Sequence, residues 1–281
     1  MPVNVAEWAA AGLSAIQIGE RSPEGYFVGY AGLTTDDSGT NSGMHRLKAA
    51  ITAPVGIPEP VRVNTRGDND PKRHVFFFKG AGDNGFTLDM GSTDVAAEAF
   101  MQGSTVYTLG QWDMAVRGIS LPAFTDMVML LTRQAQSDED GNSGNGYENL
   151  LIFSTNGLPL GDDQFDFQGE GGARYTCSAN AADILPWGVS LTTANSTSDG
   201  LTYSWFSEYP CTLESFVGDG STVAIPLTYP PVSILKTQVF RADTAAASTV
   251  SSVSTGGMTA TVSVAPTDEK YYIVVYETAG L

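Results

Sequence analysis

The segment Gly80–Ala81–Gly82–Asp83–Asn84–Gly85 fits the spacing GxGxxG, in which glycines let backbone close on a pyrophosphate at the start of a helix. A helix must then open at the third glycine. Here the chain continues as Phe86–Thr87–Leu88–Asp89–Met90, alternating apolar and polar as a half-buried strand does, so a glycine-rich hairpin turn is the reading. Asp138, Asp140 and Asn142 place oxygens at alternate positions, as a calcium loop does. Its sixth position is Ser143 instead of glycine and its twelfth is Asn149 instead of a bidentate glutamate, which leaves a solvated loop. The two histidines, His45 and His74, sit in polar loops without a cysteine or carboxylate at metal-ligand spacing, and both are expected at the surface.

No GxSxG elbow supports acyl transfer. The 31 acidic residues offer many pairs for glycoside hydrolysis, but a sequence does not give their separation. The chain is therefore expected not to be an enzyme, with no catalytic, metal or cofactor-binding residues assigned and no cofactor required. Arg66–Gly67–Asp68 spells an adhesion tripeptide, yet three residues of this kind arise readily by chance in a Gly/Asp-rich turn. More informative is the gathering of base: Arg62, Arg66, Lys72, Arg73 and Lys79 put five of the 14 basic residues within 18 positions of a chain whose formal net charge is −17. Such a loop is either a solvated hairpin tip or a contact attracted to the acidic remainder of an identical neighbour, and head-to-tail contacts of that type generate rings and filaments.

These groups must be positioned by a mostly β framework. The 281 residues suffice for one large domain or two ordinary ones. Hydrophobic residues make up 42% and aromatics 10%, a folded composition, whereas charged residues are only 16%. Gly, Ser and Thr take their place, and turn formers with strand formers predict a β-rich protein. The acidic balance repels phosphate backbones, which argues against a conventional nucleic-acid reader. Cys177 and Cys211 form neither a metal spacing nor a disulfide framework; both are read as free thiols of a reducing compartment. Residues 1–19 carry no secretion signal pattern, and no stretch approaches the roughly 20 apolar residues that span a bilayer.

Along the chain, Val3–Ile18 predicts a short amphipathic helix capped by Asn4, weakened by Gly12. Residues 19–60 read as a long loop or extended arm, of a length that usually means function, disorder or a contact with another subunit. Val61–Val63 and Val75–Phe78 predict a hairpin with a long charged tip, followed by a strand at 86–90, a helix over about 94–102 and a strand at 106–109. Further strands are expected at 119–121, 128–134, 150–155 and 173–178, with turns at 137–146 and 157–163. From Leu213 the strands become short and evenly spaced, at 213–217, 222–227, 237–241, 249–254, 259–264 and 271–276. They predict a small β-sandwich of about 70 residues, independent of what precedes it, with a boundary near residue 210.

The segment FTLDMGSTDVAAEAFMQGSTVYTLG (86–110), with LLIFSTNGLPLG (150–161), the strand ARYTCSA and DILPWGVSL containing Pro186–Trp187–Gly188, resembles the major tail tube proteins of long-tailed bacteriophages. The resemblance covers roughly residues 60–208 and is one of pattern. It implies an antiparallel β-sandwich or barrel with one flanking helix over residues 1–208, six copies per ring, and stacked rings whose inner strands close a β-barrel around a DNA channel. It further implies that the loop at about 62–75, with Arg62, Arg66, Asp68, Lys72, Arg73 and His74, reaches the adjacent ring. Tape measure and tail terminator or tip proteins are implied partners. The implied location is the virion tail, assembled in the host cytoplasm, with DNA sliding past an acidic wall without specific binding. Residues 209–281, opening FVGDGSTVAIPLTYPP, resemble small Ig-like β-modules attached to virion proteins and would sit on the tube exterior. Capsid decoration or head–tail completion, and a carbohydrate-binding or carbohydrate-cleaving receptor protein, are the alternatives.

Overall fold

The computed structural model describes residues 8–30, 42–47, 50–52, 61–65, 74–78, 85–90, 99–101, 106–115, 126–137, 145–159, 174–180, 182–190, 200 and 202–281. The fold is mainly β, as the composition predicts, and every described strand pairing is antiparallel.

The first described element is a strand where a helix is expected: β1 (Trp8–Arg21) pairs with β11 (Met127–Ser137) along most of its length. Its Ala-rich start, residues 8–11, favours a helix on its own. The central part is decided by period two, because Ile16 and Ile18 enter one buried cluster while Gln17 between them points to another layer. Tertiary burial on both faces thus overrides local helix propensity.

Residues 19–60 also depart from expectation. Within them β2 (Phe27–Gly29), β3 (Ser42–Gly43), β4 (His45–Arg46) and β5 (Ala50–Thr52) pair with strands of the same chain, and Phe27, Tyr30, Met44 and Leu47 are buried. These anchors are spaced singly among turn formers, so they leave no periodic signal. The run 34–41 lies outside the described residues.

The hairpin is present as β6 (Val61–Thr65) paired with β7 (His74–Phe78). β8 (Gly85–Met90) follows, residues 99–101 are helical, and β9 (Val106–Leu109) pairs with β10 (Trp112–Ala115). The expected strand at 119–121 lies outside the described residues, as does most of the helix. After β11, β12 (Asn145–Pro159) runs through Gly157–Pro159, where a turn was expected, because these residues pair with β13 (Arg174–Ala179). β14 (Thr202–Ser207) joins β12 on the same edge, farther along it.

Six C-terminal strands fall close to their expected places, β15 (Cys211–Val217), β16 (Ala224–Pro226), β17 (Thr237–Arg241), β19 (Val250–Ser254), β20 (Thr259–Val262) and β21 (Tyr271–Glu277), and a two-residue strand, β18 (Ala247–Ser248), is added to them.

Three sheets stack. The large one runs β2-β1-β11-β12-β13-β8-β5 with β14 and β4 added at its side; the second runs β18-β17-β21-β15-β3; the third is β16-β20-β19. Alternation along the strands assigns the cores. Met127, Met129, Leu131 and Ile152 fill the outer face of the large sheet with Tyr30, Leu47 and Met101. Val128, Leu130, Leu151 and Phe153 point the other way and meet Cys211, Leu213, Ala242 and Ile273 of the second sheet. On that sheet's far side Tyr272, Val274 and Tyr276 close a third core with Ile225, Leu227, Ala260 and Val262. The expected C-terminal sandwich therefore exists, but it does not stand apart. Its first sheet takes β3 as an edge strand and shares a full core with the preceding sheet.

Candidate functional site

The basic hairpin is the site that the sequence singles out. Its ladder runs from Val61 opposite Phe78 to Thr65 opposite His74, with Arg62 opposite Phe77. The two strands pair with no other described strand. Arg62 and His74 are thus brought onto one ribbon, whereas Arg66, Asp68, Lys72 and Arg73 lie outside the described residues. A two-stranded ribbon is marginal alone and gains stability from whatever it packs against.

The weaker motifs resolve as follows. Gly85 opens strand β8, which is incompatible with a dinucleotide-binding helix there. Asn149, at the twelfth position of the calcium-like loop, is fully buried in β12 and serves as a junction. Its Oδ1 accepts from the Thr132 hydroxyl at 3.1 Å and from the Cys211 N–H at 3.4 Å, and its Nδ2 donates to Ser207 Oγ at 2.7 Å. Among the described residues no group of three or more His, Cys, Asp or Glu side chains could hold a metal ion. His45 is half-buried, not on the surface as expected: its ring stacks on Tyr30 at 4.6 Å, on the side of the large sheet where β4 pairs with β1.

A polar seam, invisible in the sequence, joins the first two sheets. Gln17 Nε2 donates to the Cys211 carbonyl at 2.8 Å, and Gln17 Oε1 accepts from Thr212 Oγ1 at 2.7 Å. Ser207 Oγ donates to the Tyr209 carbonyl at 2.6 Å, and the Tyr209 N–H donates to Glu277, which also pairs with Lys236 at 3.2 Å. Buried amides satisfied in this manner fix the register of two layers, since a slip would leave them unpaired in a low dielectric. Deeper in, Glu214 accepts from the Thr228 N–H at 2.8 Å, from the Thr228 hydroxyl at 3.2 Å and from the Tyr276 hydroxyl.

Both thiols are free, as expected, and both are buried. Burial pushes the Cys177 thiol from 9.0 up to about 12 and the Cys211 thiol up to about 11. Burial, then the Glu214 charge, raises Tyr276 as well. Each group is neutral when folded and ionises more readily once unfolded. Stability is therefore whole below about pH 9 and declines as pH rises toward the folded values, by about 1.4 kcal/mol per thiol for each pH unit. Urea midpoints at pH 8 and pH 10 are expected to fall accordingly, and equal midpoints would contradict the burial of these groups.

The rim of the seam is aromatic. Trp187 lies 5.8 Å from Tyr203 and 6.3 Å from Trp205, edge-on to both, and stacks on Phe240 at 6.3 Å. Tyr203 and Trp205 are 5.7 Å apart, and Tyr26 meets Tyr271 at 5.9 Å. The loop carrying Trp187 is pinned at both ends of the contact: the Phe27 N–H donates to the Pro186 carbonyl at 2.7 Å, and Gly188 has φ +88° against the backbone of Ala242. Sequence reasoning missed β14, whose alternating Tyr203 and Trp205 were the available signal; six residues between turn formers gave it no weight. No protein-family model matches the chain, and no curated protein is significantly similar to it.

Proposed function

We propose that this chain is a structural virion protein, the tail tube subunit of a long-tailed bacteriophage, acting as homo-hexameric rings stacked around a channel for DNA. The observation that supports it most is a sheet with three adjacent antiparallel strands of 14, 11 and 15 residues, β1, β11 and β12. Ordinary strands have about five or six residues. Long strands of this type make the wall of a barrel, and a barrel closed by several copies leaves no sheet edge exposed. The 86–110 pattern and the separate basic hairpin β6–β7 add to the reading, with tape measure and terminator or tip proteins as its partners. No helix among the described residues is long and apolar enough to cross a membrane.

Negative-stain microscopy of the purified protein and of the particle tests the proposal. Six-fold rings and tubes are expected; persistent monomers at high concentration with no rings in the particle would overturn it, and trimers or single closed rings would favour capsid decoration or head completion. Replacing Arg66, Lys72 and Arg73 together by Glu is expected to leave the fold intact and to stop rings from stacking, since it removes the charge attraction between copies. Sedimentation would then show rings where the parent protein gives tubes.

A further inference from the structure

We propose that the aromatic rim between the large sheet and the C-terminal sandwich is a binding surface for a neutral hexose oligosaccharide. The rings are Tyr26, Trp187, Tyr203, Trp205, Phe240 and Tyr271. They are not core residues in the ordinary sense: Tyr203 and Tyr271 are 42% and 43% exposed, and the other four are half-buried. Tyr26, Trp187 and Trp205 all pack on the same cluster between the two sheets, so these three rings are held rigid from below. The Trp205 indole N–H is engaged with Cys211 Sγ at 3.3 Å, which fixes its plane.

Beside the Tyr26–Tyr271 pair stands a charged trio. Arg241 Nη2 donates to Asp243 Oδ2 at 2.9 Å, and Lys270 Nζ lies 3.9 Å from the same oxygen. Asp243 is 42% exposed at its side chain and Lys270 46%, and the Asp243 charge reaches the Tyr26 hydroxyl. Partly exposed rings next to an accessible carboxylate and ammonium match the two-sided chemistry of a hexose. Its C–H face covers an aromatic ring, and its edge hydroxyls both donate and accept. An aliphatic or lipid partner would instead strip water from the trio without replacing its hydrogen bonds. An acidic glycan or a nucleic acid would meet a chain of net charge −17, which selects a neutral saccharide. The inference does not rest on tube assembly, and that assembly is read separately by microscopy.

The test titrates maltohexaose, cellohexaose and mannohexaose into the full-length protein, followed by tryptophan emission and calorimetry. At least one is expected to bind and to shift the emission of Trp187 and Trp205. Tyr203→Ala and Tyr271→Ala, both at exposed positions, are each expected to weaken that binding about tenfold, the loss of one stacking contact, while the protein still melts cooperatively. Absence of binding by all three sugars at millimolar concentration overturns the proposal, and so does binding that neither variant weakens. If no sugar binds and the variants change the oligomeric state instead, the rim is a contact between copies and the proposal is equally wrong.

Discussion

Truncation after residue 208 is expected to give a protein that loses cooperative melting and exposes apolar surface. The argument is one of shared core. Leu213, Ala242 and Ile273 cover Phe27, Val128, Leu130, Leu151 and Phe153 of the large sheet. Uncovering a large apolar side chain costs about 1.5–3 kcal/mol. At half that value per residue, five such residues together amount to about 4–8 kcal/mol, comparable to the lower part of the roughly 5–15 kcal/mol that holds a domain folded. Gln17 would also lose both of its partners, the Cys211 carbonyl and the Thr212 hydroxyl, and the Asn149 amide would lose the Cys211 N–H. Calorimetry with a dye that reports exposed apolar surface checks this. A truncated chain that melts sharply at the parent temperature would show that the second core contributes little, and that residues 209–281 are a dispensable appendage.

The second large effect is expected from one methyl group. Gly188 has φ +88°, where an L side chain is strained, and a Cβ placed there would lie 2.2 Å from the Ala242 carbonyl oxygen. Backbone atoms give way at neither side, because the loop is anchored through Pro186 to Phe27 and Ala242 donates its N–H to the Tyr271 carbonyl. Strain of about 1–3 kcal/mol adds to an overpacking cost of similar size. Gly188→Ala should therefore lower the thermal midpoint by roughly 10 °C and loosen Trp187 from Phe240, visible as a change in tryptophan emission. A Gly188→Ala variant as stable as the parent would refute the close approach of this loop to the C-terminal sandwich.

Which elements were legible follows from where their energy comes from. β11, β15 and β21 announce themselves because each is long enough for alternation to reach across several residues, as in Tyr272, Val274 and Tyr276 on one face and Ile273 and Val275 on the other. The hairpin β6–β7 was legible for a similar reason, two β-rich runs around turn chemistry. β3 was not: two residues, Ser42 and Gly43, form a strand only because Glu214 and Ser215 offer them a free edge. Gly43 is suited to that place by closeness, since a Cβ there would stand 3.1 Å from Thr228 Oγ1. β1 was misread because its Ala-rich stretch favours a helix locally, and only pairing with β11 makes it a strand.

The sequence by itself determined a mainly β chain, the C-terminal run of short strands, the paired basic hairpin and two free thiols, because composition, period two and cysteine spacing are properties of neighbouring residues. Only the tertiary structure decided that the two halves share a core, that Gln17 and Asn149 stitch them together, and that aromatic rings from five stretches of chain, around residues 26, 187, 203–205, 240 and 271, gather into a group of four and a pair. Those contacts join residues far apart in the chain, and a contact across nearly 200 positions, such as Gln17 to Cys211, leaves no trace in local pattern.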